Sequence, residues 1–190
     1  LLLAQPILST LFQYGNFSES DSLMASMSLM AYSLGLPAFI LIKILANAFY
    51  ARQDSRTPVR IGIIAMTVNM ALNVLFVLIL LNYTEIPAHV GLALATTGSA
   101  YCNAGMLALA LRREQYLTLD RAFSTIMLKI LLAVALMSLL LFQFTPDILT
   151  WSNWSWIERL LGLTALIIPA FLCYGLMLWI MGIRKSHFSH

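Results

Sequence analysis

Two asparagines lie four residues apart in the middle of a long apolar run. At this spacing Asn69 and Asn73 share one face of a helix. The next apolar run carries Thr96 together with further polar residues, namely Thr97, Ser99 and Asn103. Amide and hydroxyl groups in such surroundings can join two helices by hydrogen bonds. Alternatively, their oxygens can line a polar substrate wall or bind a hard cation such as Na⁺.

The sequence leaves both interpretations of this cluster open. No carboxylate lies at the same depth in these runs, so a cation site would need one from another segment. The run that carries Thr96 also holds small residues that let helices approach closely, namely Gly91, Ala95 and Gly98.

A lysine also lies inside an apolar run. Lys43 falls about two turns from the end of the run 22–50, and Asn47 follows one turn later on the same face. A lysine at this depth either extends its side chain so that the ammonium group reaches the membrane surface, or it faces a polar cavity. Lys43 and Asn47 are therefore candidates for a cavity wall. For Lys129, whose run is otherwise apolar, the first alternative is favoured.

The residue sets of common membrane enzymes are absent from the sequence. It has no pair of carboxylates inside an apolar run, no phosphate-binding loop, and no serine, histidine and acid at one depth. The two cysteines are far apart and form no metal-binding spacing. We therefore expect a protein that is not an enzyme, and we assign no metal ligands.

The composition indicates a membrane protein. Of 190 residues, 61% are hydrophobic and 10% are charged, and the mean hydropathy is +0.86. Soluble domains average about 45–50% apolar and about 25% charged residues. The net charge of +3 is spread over short loops, which argues against a nucleic-acid partner and favours a role in membrane orientation.

Five apolar runs are long enough to cross a bilayer as helices, so we predict an all-α polytopic membrane protein. They lie near 22–50, 58–81, 88–111, 121–144 and 157–182, and they are too continuous for barrel strands. Residues 1–12 are too short to span and lack the basic flank of a signal peptide. We expect them to be the end of a truncated spanning helix in the C-terminal part of a longer protein.

The loops between these runs alternate in charge. Basic residues fall after the first and third runs and in the tail, at Arg52, Arg56, Arg60, Arg112, Arg113, Arg121, Arg184 and Lys185. The opposite loops are acidic, apart from Arg159. The positive-inside rule places the loop 49–60 and the C-terminus in the cytoplasm. Three tryptophans near the opposite edge predict an interfacial belt, namely Trp151, Trp154 and Trp156.

Local signals mark helix starts and one bend. Thr57 before a proline predicts an N-cap for the second run. Ser155 and Glu158 form a predicted capping box at the start of the last run. Pro37, two residues after Gly35, predicts a kink in the first run.

Three stretches resemble the MurJ (MviN) family of bacterial lipid II flippases, in the multidrug/oligosaccharidyl-lipid/polysaccharide (MOP) exporter superfamily. They are LFQYGNF at 11–17, AYSLGLPAF at 31–39 and FYARQDSRTPVR at 49–60. The family's loop signature carries threonine where Ser55 stands here. The resemblance covers essentially the whole chain, although the final two runs match mainly in pattern.

The resemblance implies a fourteen-helix fold in the bacterial inner membrane, with both termini cytoplasmic. The chain would match helices nine to fourteen. Residues 1–12 would end a truncated helix, 13–112 would hold second-lobe helices, and 113–190 would hold a C-terminal helix pair and a cytoplasmic tail. The final pair would help to form a groove for the undecaprenyl tail.

The resemblance also implies a function. Members move lipid II, the undecaprenyl-linked peptidoglycan precursor, from the cytoplasmic to the periplasmic leaflet by alternating access. The implied partners are lipid II, membrane lipids and the remainder of the parent chain, with no cofactor apart from Na⁺ as a candidate coupling ion. The alternatives are a related exporter of another lipid-linked oligosaccharide or a drug, and a non-transporting scaffold for cell-wall assembly.

Two sets of site residues follow from the resemblance. The family's proposed sodium site uses polar side chains on the eleventh and twelfth helices, which match Asn69, Asn73 and Thr96. Some members carry a carboxylate where Asn73 stands. A second set joins two helices of one lobe, and could either lock a cytoplasmic gate by ion pairs or form a fixed structural turn, namely Arg52, Asp54 and Arg56.

Overall fold

The computed structural model describes residues 1–14, 18–83, 87–116 and 121–182, and in these ranges the secondary structure is helical, without strands. The helices are α1 (Ala4–Phe12), α2 (Glu19–Tyr50), α3 (Arg56–Tyr83), α4 (Ala88–Arg113), α5 (Arg121–Phe144), α6 (Ile148–Asn153) and α7 (Trp156–Ile180). The predicted all-α fold is confirmed. The tail 183–190, for which a cytoplasmic location is predicted, lies outside the described residues.

Four of the described helices are long and apolar enough to cross a membrane, which makes the chain a multi-pass membrane protein. They are Glu19–Tyr50, Arg56–Asn82, Phe123–Phe144 and Trp156–Ile180. The predicted run 88–111 forms α4, but α4 is not among these four, because polar residues near its middle lower its hydropathy. A membrane-spanning role for α4 therefore stays a prediction.

The chain divides into two compact units. The first holds α2 from Leu23 onward, α3 and α4, and the second holds α1, the start of α2 up to Ser22, α5, α6 and α7. In the first unit α4 packs against α3 and buries mostly small residues. A methyl group at Gly35 of α2 would lie 2.8 Å from Thr97 Oγ1, so α2 and α4 approach closely at this point.

Pro37 lies inside α2, which remains helical from Glu19 to Tyr50. Two hydroxyl groups of α4 donate hydrogen bonds to carbonyl oxygens of α2 before this proline. Thr97 Oγ1 donates to Ala31 O over 2.7 Å, and the Tyr101 hydroxyl donates to Leu34 O over 2.9 Å. A neighbouring helix therefore supplies donors to the stretch of α2 that a proline weakens. The kink itself stays a prediction.

The second unit is built around Trp151. The predicted place of Trp151 in an interfacial belt is wrong, because the ring does not face the membrane. Its ring is fully buried with Leu141, Leu166 and Ala170, because the short helix α6 turns it into the core. The indole N–H donates to Thr10 Oγ1 over 3.1 Å. Trp156, in contrast, is exposed.

The predicted cap at the start of α7 is present in the structure, whereas the predicted cap at the start of α3 is not. Glu158 Oε2 accepts hydrogen bonds from the backbone N–H and hydroxyl of Ser155, which confirms the capping box. At α3 the predicted N-cap Thr57 is wrong. Thr57 is not the residue that caps the helix, because its own backbone N–H donates a hydrogen bond to the capping residue, Asp54, at Oδ1 over 3.1 Å.

Candidate functional site

The asparagines of α3 and the hydroxyl groups of α4 form one hydrogen-bonded cluster. Asn69 Nδ2 donates to Ser99 Oγ over 3.2 Å and to Thr96 Oγ1 over 3.5 Å. Asn73 Nδ2 donates to Asn69 Oδ1 over 3.0 Å. Each hydroxyl in turn donates a hydrogen bond to the α4 backbone, Thr96 Oγ1 to Leu92 O and Ser99 Oγ to Thr96 O, both over 2.9 Å. The structure thus brings Asn69, Asn73 and Thr96 together and uses them to join two helices.

A groove of about 400 Å³ runs beside this cluster within the first unit. Its lining comes from three helices, with Phe39 from α2, Asn69 from α3 and Asn103 from α4. The side-chain oxygen of Asn103 is buried and has no hydrogen-bond partner among the described residues. The groove is therefore mainly apolar, with a few polar groups along one wall.

A hard cation takes about six oxygen ligands, and the oxygens of the cluster are mostly engaged. Its hydroxyl oxygens accept amide N–H groups, and the Asn69 oxygen accepts Asn73. One oxygen of the cluster, Asn73 Oδ1, is buried and unpartnered within the described residues. The described part of the chain also holds no cluster of histidine, cysteine or acidic residues suited to a metal. One free oxygen is fewer than a hard cation takes, so Na⁺ binding at this cluster stays a prediction that needs ligands from other residues.

Lys43 and Asn47 lie elsewhere. Both are exposed on α2, and neither lines the groove beside Asn69. In the described ranges no side chain forms an ion pair with Lys43. A role for these two residues in a cavity wall stays a prediction.

Asp54 caps α3 in the loop between α2 and α3. Its Oδ1 accepts the backbone N–H groups of Arg56 and Thr57, each over 3.1 Å. The hydroxyl and the backbone N–H of Thr57 are the main causes that lower the pKa of this carboxyl below 3.8. The preceding residue, Gln53, has a φ of 61°, which lets the chain reverse direction. The loop has the geometry of a fixed turn.

Arg52 reaches from this loop to the end of α4. Its guanidinium pairs with the carboxylate of Glu114 and stacks on the ring of Tyr116, 3.7 Å from the ring centroid. The bond to Glu114 is the first cause that raises the pKa of Arg52. This is the only ion pair among the residues that the structure describes. An ion-paired set of Arg52, Asp54 and Arg56 is therefore not formed in this conformation, and a gating role for them stays a prediction.

Arg159 is the residue that sequence reasoning missed. The sequence pattern places it among the loop charges, yet only 8% of the residue is exposed. Its guanidinium donates to four neutral acceptors, namely Ser152 O (2.8 Å), Trp154 O (3.0 Å), Ser9 O (3.1 Å) and Gln13 Oε1 (3.4 Å). It thereby links α1 to the start of α7. A single basic residue among acidic loops was the only signal in the sequence.

Lys129 of α5 also finds a backbone partner. Its Nζ donates to Met181 O over 2.6 Å, at the C-terminal end of α7. An ammonium group there satisfies an end carbonyl and complements the negative end of the helix dipole.

The comparisons with known proteins agree on one family. The family model described as "Lipid II flippase MurJ" matches residues 1–162. A probable lipid II flippase MurJ of Haemophilus influenzae is 42% identical over 187 residues, which are 98% of this chain and 35% of that protein. The corresponding protein of Vibrio cholerae is 39% identical over 184 residues, 97% of this chain and 34% of its own length. The lipid II flippase MurJ of Burkholderia cenocepacia is 32% identical over 197 residues, 97% of this chain and 35% of its own length.

The chain thus spans about a third of the length of the curated relatives it matches. The family match includes all three stretches on which the resemblance was based, together with the polar cluster and Arg159. Because it extends over residues 1–162 of 190, the chain belongs to the MurJ lipid II flippase family.

Proposed function

We propose that this chain is part of a lipid II flippase, which moves the undecaprenyl-linked peptidoglycan precursor from the cytoplasmic to the periplasmic leaflet. The observation that carries the proposal is the family match over residues 1–162. Relatives that bear the name lipid II flippase also align with nearly the whole chain. The partners in this proposal are lipid II, the surrounding membrane lipids and the rest of the parent protein. The protein acts as a transporter and not as an enzyme.

The first unit is suited to move as one rigid body during alternating access, which in such transporters is largely a rocking of rigid bundles. The Asn69 cluster joins α3 to α4, and the close approach at Gly35 joins α2 to α4. At the loop, the pair of Arg52 and Glu114 joins the α2–α3 turn to the end of α4. In this proposal the loop residues hold the lobe together, and the ion-pair gate remains the second hypothesis.

The second unit has a groove that suits a lipid tail. It measures about 380 Å³ and is lined by the apolar residues Leu140, Phe144, Leu166 and Pro169 and by two tryptophan rings. An isoprenoid chain would remove this apolar surface from contact with other lipids. The proposal assigns the undecaprenyl tail to this groove, in line with the family resemblance.

The location and the driving force belong to the same proposal. The family match supports the bacterial inner membrane, and the charge pattern supports a cytoplasmic C-terminus. Na⁺ as coupling ion stays a prediction that needs ligands from beyond the described residues. Nothing in the described residues favours the two alternatives, an exporter of another lipid-linked oligosaccharide or drug and a non-transporting scaffold.

The experiment uses a chimera, because the chain covers about a third of its relatives. These 190 residues replace the aligned part of the Haemophilus influenzae protein, and the chimera is expressed in cells depleted of their own flippase. Growth of the depleted cells supports the proposal. A membrane-inserted chimera that fails to support growth, beside an intact relative that succeeds, contradicts it.

A further inference from the structure

The start of α3 carries two arginines without a neutralising partner. Arg56 and Arg60 lie four residues apart, so they share one face of the helix, and both are exposed. The ion pair of the described residues joins Arg52 and Glu114, so no described carboxylate neutralises either of them. With Thr57 they line a cleft of about 350 Å³. Two unneutralised guanidinium groups therefore face one small space.

The N–H groups of the helix start do not create this charge. Asp54 already accepts the backbone N–H of Arg56 and of Thr57. The binding capacity of the cleft lies in the arginine side chains, whose planar groups can each form paired hydrogen bonds with a phosphate.

The same face of α3 continues as an apolar stripe. At intervals of three and four residues after Arg60 come Ile63, Thr67, Met70 and Val74, and we call this set with the two arginines the α3 stripe. Ile63, Met70 and Val74 are each between 61% and 62% exposed, and Thr67 is exposed as well. By the geometry of about 100° per residue, Asn69 lies about 140° around the helix from the middle of the stripe and Asn73 about 100°, so neither asparagine belongs to the stripe. The stripe therefore carries a cationic end followed by uncovered apolar surface.

α3 is long and apolar enough to cross the membrane, and Arg56 and Arg60 lie in its first two turns. The arginines are thus placed where a helix enters the headgroup region, on whichever side of the membrane the loop lies. A phospholipid with a net negative headgroup has the complementary shape and charge, a phosphate at the surface with acyl chains running inward. We propose that the α3 stripe binds an anionic phospholipid, with its phosphate between Arg56 and Arg60 and an acyl chain along Ile63, Met70 and Val74.

This site is separate from the polar cluster and from the apolar groove of the second unit, and it does not depend on transport of lipid II. A zwitterionic phospholipid carries the same phosphate, but its ammonium group opposes the arginines. Two basic residues near a membrane surface correspond to about a thirtyfold preference for the anionic lipid.

The test measures lipids bound to the purified chain by native mass spectrometry, with dioleoylphosphatidylglycerol against dioleoylphosphatidylcholine at equal concentration. We expect the unsubstituted chain to prefer phosphatidylglycerol about thirtyfold, and Arg56→Gln with Arg60→Gln to bind both lipids about equally. The matched control is Arg112→Gln with Arg113→Gln, which removes the same charge from the end of α4 and should keep the preference. If the control loses the preference as fully as the test variant, the effect is one of net charge and the proposal is wrong.

Two further arms keep the test decisive. Arg56→Lys with Arg60→Lys retains both charges, on which the thirtyfold estimate rests, and it should keep most of the preference. Inorganic phosphate at millimolar concentration should not displace the lipid. Displacement by phosphate would show that the cleft binds anions in general, and it would overturn the proposal that the stripe binds a phospholipid. A full-length chimera that binds no phosphatidylglycerol, while the isolated chain does, would show that another helix covers the stripe and would also overturn it.

Discussion

The guanidinium of Arg159 donates a hydrogen bond to the backbone oxygen of Ser9 over 3.1 Å, across 150 residues of sequence. The same side chain bonds Ser152 O and Trp154 O, which follow α5 in the chain. All of these acceptors are neutral, so oxygen dipoles stabilise the buried charge. In the second unit one side chain therefore joins the end of α1 to the short corner between α6 and α7.

Removing this side chain should destabilise the second unit. Arg159→Ala leaves several buried oxygens without their donor, and we expect a loss of about 2–4 kcal/mol in the free energy of unfolding. The measurement is unfolding by SDS in mixed micelles, followed by tryptophan fluorescence. Arg113→Ala, an exposed arginine at the end of α4, is the control. A change below about 0.5 kcal/mol for Arg159→Ala would show that water or lipid replaces these bonds at little cost.

The polar cluster should contribute modestly to stability. Asn69→Ala removes two hydrogen bonds to α4 and the partner of Asn73, so we expect a loss of about 1–2 kcal/mol. Asn73→Ala removes one bond and should cost about half as much. Thr67→Ala is the control, because its hydroxyl bonds only to Ile63 O of its own helix. Equal effects of all three substitutions would argue against a specific link between α3 and α4.

The same cluster makes a prediction about ions. Since its hydroxyl oxygens and the Asn69 oxygen are engaged, exchange of Na⁺ for K⁺ should leave the unfolding midpoint of the chain unchanged. The comparison is made at constant ionic strength, with Asn73→Ala alongside. A Na⁺-dependent rise of the midpoint that Asn73→Ala abolishes would establish a cation site here and contradict the hydrogen-bond account.

Asp54 makes the stability depend on pH in the acid range. Its pKa is lower in the folded chain than the ordinary 3.8, so the unfolded chain binds the proton more tightly. This contribution is complete above about pH 4 and is lost as the pH falls through the lowered value. Asp54→Asn should therefore flatten the decline in the unfolding midpoint below pH 4. Thr57→Val, which removes a hydroxyl that lowers this pKa, should move the decline to higher pH. A decline unchanged in both variants would assign it to other carboxyl groups.

Arg52 and Glu114 should be coupled, and the coupling should weaken with salt, because both side chains are partly exposed. A double-mutant cycle with Arg52→Ala and Glu114→Ala measures it, and Tyr116→Leu tests the ring contact.

In cells, a structural turn predicts that Arg52→Ala and Asp54→Ala lower protein abundance and flipping together. Loss of flipping at unchanged abundance would support the gate instead.

The helices were predictable because each apolar run is continuous and long. The capping box at Ser155 was predictable too, since it depends on residues three apart. Other features depend on contacts between distant segments. Trp151 looked like a surface tryptophan, but the six residues of α6 turn it into the core beside Thr10.

The candidate site was predictable to a similar degree. The spacing of Asn69 and Asn73 placed them on one face, and the structure adds their partners on α4. For Asp54 the sequence left a gate and a fixed turn open and assigned the N-cap of α3 to Thr57, whereas in the structure Asp54 Oδ1 accepts the N–H groups of Arg56 and Thr57. The role of Arg159 was missed because its acceptors come from both ends of the chain.

The central claim is that these residues serve lipid II transport, and one measurement addresses it directly. The chimera with the Haemophilus influenzae protein is expressed in flippase-depleted cells, and the fraction of lipid II accessible at the periplasmic face is determined. The proposed function predicts that this fraction returns to the level given by the intact relative. A stable, membrane-inserted chimera that leaves lipid II on the cytoplasmic side would contradict it.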